Sequence, residues 1–186
     1  CNFALKASGE ALGITMEGDV RVDSVTFGAQ ALGVSKGRLP DGATNIVSFP
    51  ATATPGEANY LPLTDVVINE VLSAVSSNAP LEQAVELLNT GGNAVNVSGW
   101  YLSNMKHALK KYLIPGGTSI PAGGFLVVYQ NQFNFDPRDP ASFKLDAVRG
   151  DNVYLAAADS NANLTGYWAV ADFGAAAGAG ACAHAV

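Results

Sequence analysis

Residues 21–27 read Arg21-Val22-Asp23-Ser24-Val25-Thr26-Phe27. Successive side chains of a strand point to opposite faces, and this run alternates as a strand with one wet side should. Working outward from it, short apolar runs bounded by Gly, Pro, Asn and Asp recur along the whole chain, whereas helical spacing of apolar residues is nearly absent. The expected strands are Ala11 to Met16, Arg21 to Phe27, Asp65 to Leu72, Ala84 to Asn89, Trp100 to Ser103, Lys111 to Ile114, Gly124 to Gln130, Asn152 to Ala157 and Gly166 to Phe173. This is the pattern of an all-β sandwich or barrel. A helix competes only at Leu81 to Leu88, through the helix formers Glu82, Gln83 and Ala84, and the Asn89-Thr90-Gly91-Gly92 turn decides for a strand.

Two segments resemble each other. Phe3-Ala4-Leu5-Lys6-Ala7-Ser8-Gly9-Glu10 leads into an apolar strand, a turn and Val25-Thr26-Phe27-Gly28-Ala29. Phe143-Lys144-Leu145-Asp146-Ala147-Val148-Arg149-Gly150-Asp151 leads into Val153-Tyr154-Leu155, a turn and Ala171-Asp172-Phe173-Gly174-Ala175. Phe3 and Phe143 lie 140 residues apart, which suggests tandem modules of immunoglobulin size. Between the copies, Ala53-Thr54-Pro55-Gly56-Glu57-Ala58-Asn59 reads as a linker. The expected division is residues 1–59, a 60–64 linker, and a module over 65–186.

Of the 186 residues, 48% are apolar, enough for a core, but only 14% are charged, against roughly 25% in an average soluble domain. The surface therefore rests on Asn, Ser, Thr, Gly and Ala, a choice commoner in secreted and cell-surface β proteins. A net charge of −6, with the basic residues scattered apart from Lys106, Lys110 and Lys111, leaves no stripe to neutralise phosphates, so no nucleic-acid partner is expected. Tyr167 to Val186 is apolar but mostly Ala and Gly with Asp172 inside, a poor match to a membrane span. Cys1 and Cys182 fit neither a zinc spacing nor a disulfide framework, and whether they are bridged, free or lipidated is left open. The repeat favours an internal fragment of a longer protein over a lipidated Cys1.

From Val66 onward the chain resembles the lamin tail domain family in its bacterial form. The matching blocks are Val67-Ile68-Asn69-Glu70-Val71-Leu72, Val85-Glu86-Leu87-Leu88-Asn89-Thr90-Gly91, Val95-Asn96-Val97-Ser98-Gly99-Trp100-Tyr101-Leu102-Ser103, Ile114-Pro115 with Ile120-Pro121-Ala122-Gly123-Gly124-Phe125-Leu126-Val127, and Gly150-Asp151-Asn152-Val153-Tyr154-Leu155. The family's tail pattern matches Ser35-Lys36-Gly37-Arg38-Leu39-Pro40-Asp41-Gly42 and Thr54-Pro55-Gly56-Glu57-Ala58-Asn59, placed before the complete head, so residues 1–59 are expected to be the closing strands and tail of a preceding lamin-tail-like module and residues 65–186 a module lacking its tail motif. The resemblance implies an immunoglobulin-like β-sandwich with no shared catalytic activity. It also implies structural roles for Arg38, Asp41, Glu70, Glu86, Asn89, Gly99, Trp100, Pro115 and Pro121. The Ser98-Gly99 turn is expected to deliver the Trp100 ring into the space between the sheets. Pro115 and Pro121, lacking N–H donors, mark a strand end and a turn. Glu70 and Glu86 are expected to face the polar side or to cap backbone donors near a turn, not to form a catalytic pair.

Other signals look like chemistry. Gly33-Val34-Ser35-Lys36-Gly37 matches a hydrolase nucleophile elbow, but the Leu39-Pro40-Asp41-Gly42 turn follows at once where a helix is required, and neither His107 nor His184 looks held by a third group. Arg149-Gly150-Asp151 spells an adhesion tripeptide yet coincides with the turn before a strand. Asp159, Asn161 and Asn163 alternate oxygen ligands as a calcium loop does, but without its central Gly and distal Glu, so a hairpin turn is expected. No cofactor and no metal are expected.

The chain is thus expected to be a non-catalytic structural or binding module of a secreted or cell-surface protein, with other modules as partners, including copies of itself head to tail. Its alternatives are a subunit of an extracellular fibre or surface layer that exchanges strands, and a hydrolase using Ser35 or the two glutamates. A sandwich of Asp65 to Phe173 in sequence order is expected, because local closure costs less entropy than a distant one.

Overall fold

The structure is a computed structural model that describes residues 3–74, 82–176 and the backbone of 182–184. The chain divides into two units, Cys1–Leu61 and Pro62–Val186.

In the first unit, β1 (Gly9–Met16) and β2 (Val20–Gly28) form an antiparallel hairpin, and β3 (Ser35–Arg38) pairs with β4 (Ile46–Phe49). Glu10 lies opposite Phe27, Leu12 opposite Val25, and Met16 opposite Val20. Directly opposed residues share a face, so Leu12, Ile14, Met16, Val20, Val25 and Phe27 make one largely apolar side that also carries Glu10 and Asp23, while Ala11, Gly13, Thr15, Ser24 and Thr26 make the other. Among the described residues of this unit, the buried ones are Phe27, Leu39, Phe49 and Thr52.

The second unit is a two-sheet sandwich. One sheet runs β10 (Tyr112–Leu113), β9 (Tyr101–Ser103), β13 (Gly150–Ala158), β14 (Leu164–Gly174) and β5 (Leu61–Pro62), the last at the start of the unit. The other runs β12 (Phe125–Tyr129), β7 (Ala84–Asn89), β6 (Val66–Leu72) and β15 (Cys182–His184). A small ladder joins β8 (Val95–Asn96) to β11 (Ser119–Ile120). Along β7, Val85, Leu87 and Asn89 are buried and their neighbours are not, as a strand with one face on a core requires. A bulge between Ile68 and Glu70 shifts the alternation of β6, so that Val66, Ile68 and Val71 all face inward. These residues, with Leu102, Val128, Val153, Leu155, Ala171 and Phe173, form one core. Each Val, Leu, Ile or Phe among them, once fully buried, stabilises the fold by about 1.5–3 kcal/mol relative to leaving it in water.

The connection from β12 to β13 holds one turn of helix, α1 (Gln130–Phe133). The Gln132 side chain accepts the Tyr129 N–H at 2.8 Å, and buried Phe133 stacks on Phe143 with ring centroids 4.8 Å apart. The connection is therefore packed, and it launches the closing hairpin β13–β14.

That closing hairpin and the N-terminal one share a construction. Gly9 pairs with Gly28 as Gly150 pairs with Gly174. Glu10 lies opposite Phe27 as Asp151 lies opposite Phe173. The Gly9 N–H donates to the Lys6 carbonyl and the Gly150 N–H to the Asp146 carbonyl, both at 3.0 Å. Glu10 accepts the Lys6 N–H at 3.1 Å where Asp151 accepts the Asp146 N–H at 3.3 Å. The chain then returns in the same way, Gln30 N–H to Ala7 at 2.9 Å and Ala176 N–H to Ala147 at 2.8 Å.

Trp100 departs from expectation. Its N–H donates to Val97 at 3.1 Å and its carbonyl accepts from Ile114 at 2.8 Å, so the residue belongs to the turn before β9. The ring is half-buried against the margin of the core, and Leu102 is the β9 side chain that enters it. The buried tryptophan is Trp168 on β14, in register with Ala156.

Candidate functional site

The junction between the opening strands and the closing hairpin is held by polar side chains. Gln83, just before β7, is buried, and its Nε2 donates to the carbonyls of Ser73 at 2.7 Å and Leu145 at 2.9 Å. Its Oε1 accepts the Leu145 N–H at 3.1 Å. Asn89, at the end of β7, is likewise buried, and its Nδ2 reaches the carbonyls of Asn93, Ile120 and Pro121 at 2.8–3.0 Å. Its Oδ1 accepts the Gly91 N–H at 2.9 Å. Ser103 on β9, also buried, bonds the Ala108 carbonyl at 2.8 Å and takes the Met105 N–H at 2.9 Å. A buried amide or hydroxyl costs free energy unless it is bonded, and here these side chains are fully used in fixing chain turns.

Pro121 accepts both Asn89 and the Gly124 N–H, and Pro115 accepts the Thr118 hydroxyl at 2.7 Å, so both prolines sit at turns. Gly99 donates its N–H to Ile114 in the turn before Trp100. In the first unit, the Arg38 guanidinium bonds the Ala43 carbonyl at 2.6 Å and Asp23 at 2.8 Å, while the Arg38 carbonyl accepts from Asn59 Nδ2 at 3.1 Å. Asp41 accepts the Asn59 N–H at 3.1 Å, which ties together the two stretches of the tail pattern.

Glu70 and Glu86 lie directly opposite each other on β6 and β7, facing away from the core. The Asn69 side chain, at the bulge, donates to Glu86 at 2.7 Å. The neighbouring outward residues on this face include Leu88, Val127 and Phe125. The bulge turned Glu70 there, and no alternation in the sequence signals a bulge.

Ser35 begins β3 of an antiparallel hairpin, so the backbone around it is not a strand-to-helix elbow. Asp151 of the Arg-Gly-Asp triplet accepts from the Asn104 side chain at 3.2 Å and from the Asn152 N–H at 2.9 Å. Asp159 accepts the N–H groups of Asn161 and Asn163, both at 2.9 Å, and the Asn163 N–H holds its carboxyl below the usual range. The Asp159 to Asn163 segment is thus the turn of the β13–β14 hairpin, its carboxylate committed to the backbone. Among the described residues no group of three or more His, Cys, Asp or Glu is placed to hold a metal ion. The side chains of Cys1, Cys182 and His184 lie outside the described residues.

An open cleft of about 730 Å³ borders Gln83, Gln130, Lys144, Leu145 and Asp146. A different kind of feature stands out on the first unit, where Ile14, Met16 and Val20 on the apolar side of β1–β2 are exposed together with Phe3 and Leu5.

Two facing antiparallel sheets over one core define an immunoglobulin-like β-sandwich. The Lamin Tail Domain family model matches residues 62–171, more than half of the chain, and the protein belongs to that family of non-enzymatic immunoglobulin-like modules. No curated protein and no solved structure matches it. No helix among the described residues is long and apolar enough to cross a membrane.

Proposed function

We propose that the chain is a non-catalytic structural or binding module of a secreted or cell-surface protein built from several modules. The exposed apolar side of β1–β2 carries this reading: it gives the chain a surface for another protein element, in a family that works without catalysis. The low surface charge supports the extracellular setting, and the net −6 disfavours nucleic acid as the partner. In the experiment, purified chain is given ester, phosphodiester and glycoside substrates, and intact source cells are treated with protease. The expected result is no turnover that Ser35→Ala, Glu70→Gln or Glu86→Gln removes, together with release of the chain from the cell surface. Turnover abolished by any of these substitutions overturns the reading.

A second reading, a fibre subunit that exchanges strands between chains, draws on the two hairpins of like construction beside a single opening sheet. Electron microscopy of the purified chain separates the two, since exchange between heterologous surfaces produces filaments.

A further inference from the structure

We propose that the apolar face of β1–β2 is the closing face of a second lamin-tail sandwich, and that its partner is an opening sheet of the same kind as β6–β7–β12, supplied by another lamin-tail module. The two hairpins correspond residue by residue: Phe3 to Phe143, Leu5 to Leu145, Gly9 to Gly150, Leu12 to Val153, Ile14 to Leu155, and Phe27-Gly28 to Phe173-Gly174. Their surroundings differ. Phe143, Leu145 and Leu155 are 4%, 2% and 0% exposed, whereas Phe3, Leu5 and Ile14 are 73%, 55% and 64% exposed.

What covers the second hairpin is visible in the same molecule. The inner face of β6, β7 and β12, with Val66, Ile68, Val71, Val85, Leu87 and Val128, shares its core. Gln83 adds a fastening that is independent of side-chain shape, because its carboxamide takes both the N–H and the carbonyl of Leu145. Among the described residues nothing bonds the N–H or carbonyl of Leu5, the corresponding position. Phe27, like Phe173, is buried, but Phe3, Leu5 and Ile14 and the backbone groups of Leu5 are left for such a sheet to engage. The chain's own opening sheet is already filled by β13–β14, so the partner sheet comes from another module. This deepens the binding-module reading and rests on it; turnover of a substrate removes that reading without touching the result below.

The test is hydrogen exchange on the full chain with and without a second copy of residues 62–142 joined ahead of Cys1. We expect the Leu5 amide and the β1–β2 amides to exchange at least about tenfold more slowly in the extended chain. Ile14→Asp should remove this protection, Thr15→Asp on the opposite face should keep it, and Gln83→Leu in the added copy alone should release Leu5. Unchanged exchange overturns the proposal, as does an added copy that stays unprotected. So does protection insensitive to Ile14→Asp, or an added copy that is protected by β13–β14 in place of β1–β2.

Discussion

Gln83 and Leu145, 62 residues apart, are joined by both ends of one carboxamide: Nε2 donates to the Leu145 carbonyl at 2.9 Å and Oε1 accepts the Leu145 N–H at 3.1 Å. This side chain does for the lead-in to the closing hairpin what a ladder partner does within a sheet. Removing it strands buried backbone groups of both Leu145 and Ser73, each of which costs about 1–3 kcal/mol when left unbonded. Gln83→Leu should therefore lower the stability of the second unit by about 2–4 kcal/mol. Urea denaturation checks it, and a loss below half a kilocalorie would show that water replaces the carboxamide.

Much of this fold can be read from alternation and turn residues. Ala84 to Asn89 emerges as a strand because the Asn89-Thr90-Gly91-Gly92 turn decides against the competing helix, and the structure keeps those bounds. Arg21 to Phe27 is extended by one residue at each end. Strands β3 and β4 are not legible, because Ser35-Lys36-Gly37-Arg38 carries no apolar period and owes its extension to pairing with Ile46–Phe49. Gln83 is opaque for a different reason: a polar residue of good helix propensity gives no sign of a partner so far along the chain. Trp100 was misplaced by its size, since a large ring next to a turn suggests a core position that Leu102 in fact occupies.

Trp100→Ala measures how far the ring contributes from the margin of the core. A fully buried aromatic costs about 3–5 kcal/mol when cut to alanine, so a half-buried one should cost about 1–2 kcal/mol. The melting temperature of the variant checks this. Complete unfolding would restore Trp100 to the centre of the sandwich.

Acid should loosen the lead-in to β13. Asp146 accepts the N–H groups of Arg149 and Val148, and these bonds hold its carboxyl below the ordinary value of 3.8. A carboxyl depressed in the folded state contributes stability above its unfolded value, and that contribution is lost as pH falls through the lower folded value. Asp146→Asn keeps an acceptor oxygen but does not titrate, so its stability should fall less than the parent's between neutral pH and about pH 3. Parallel denaturation curves at several pH values test this, and identical acid sensitivity in parent and variant counts against it.

The last prediction separates the two hairpins by what depends on them. Gly150 has φ +84° and Gly9 φ +106°, backbone that an L side chain adopts only under strain. A Cβ at Gly150 would collide with the Phe173 carbonyl oxygen and lie 2.9 Å from Gly174 Cα, and one at Gly9 would lie 2.7 Å from the Phe27 carbonyl oxygen. Both obstacles are backbone, so no side-chain rotation relieves them. Alanine at either position should thus cost its own hairpin about 2–3 kcal/mol or more. The consequences differ because Val153, Leu155 and Phe173 beyond Gly150 lie in the core, whereas Ile14 and Met16 beyond Gly9 are exposed. Gly150→Ala should lower the melting temperature of the second unit, while Gly9→Ala should leave that temperature within a few degrees and speed amide exchange only in β1–β2. Calorimetry together with peptide-resolved exchange distinguishes the two, and a fall in the second unit's melting temperature on Gly9→Ala as large as on Gly150→Ala would mean that β1–β2 supports that core after all.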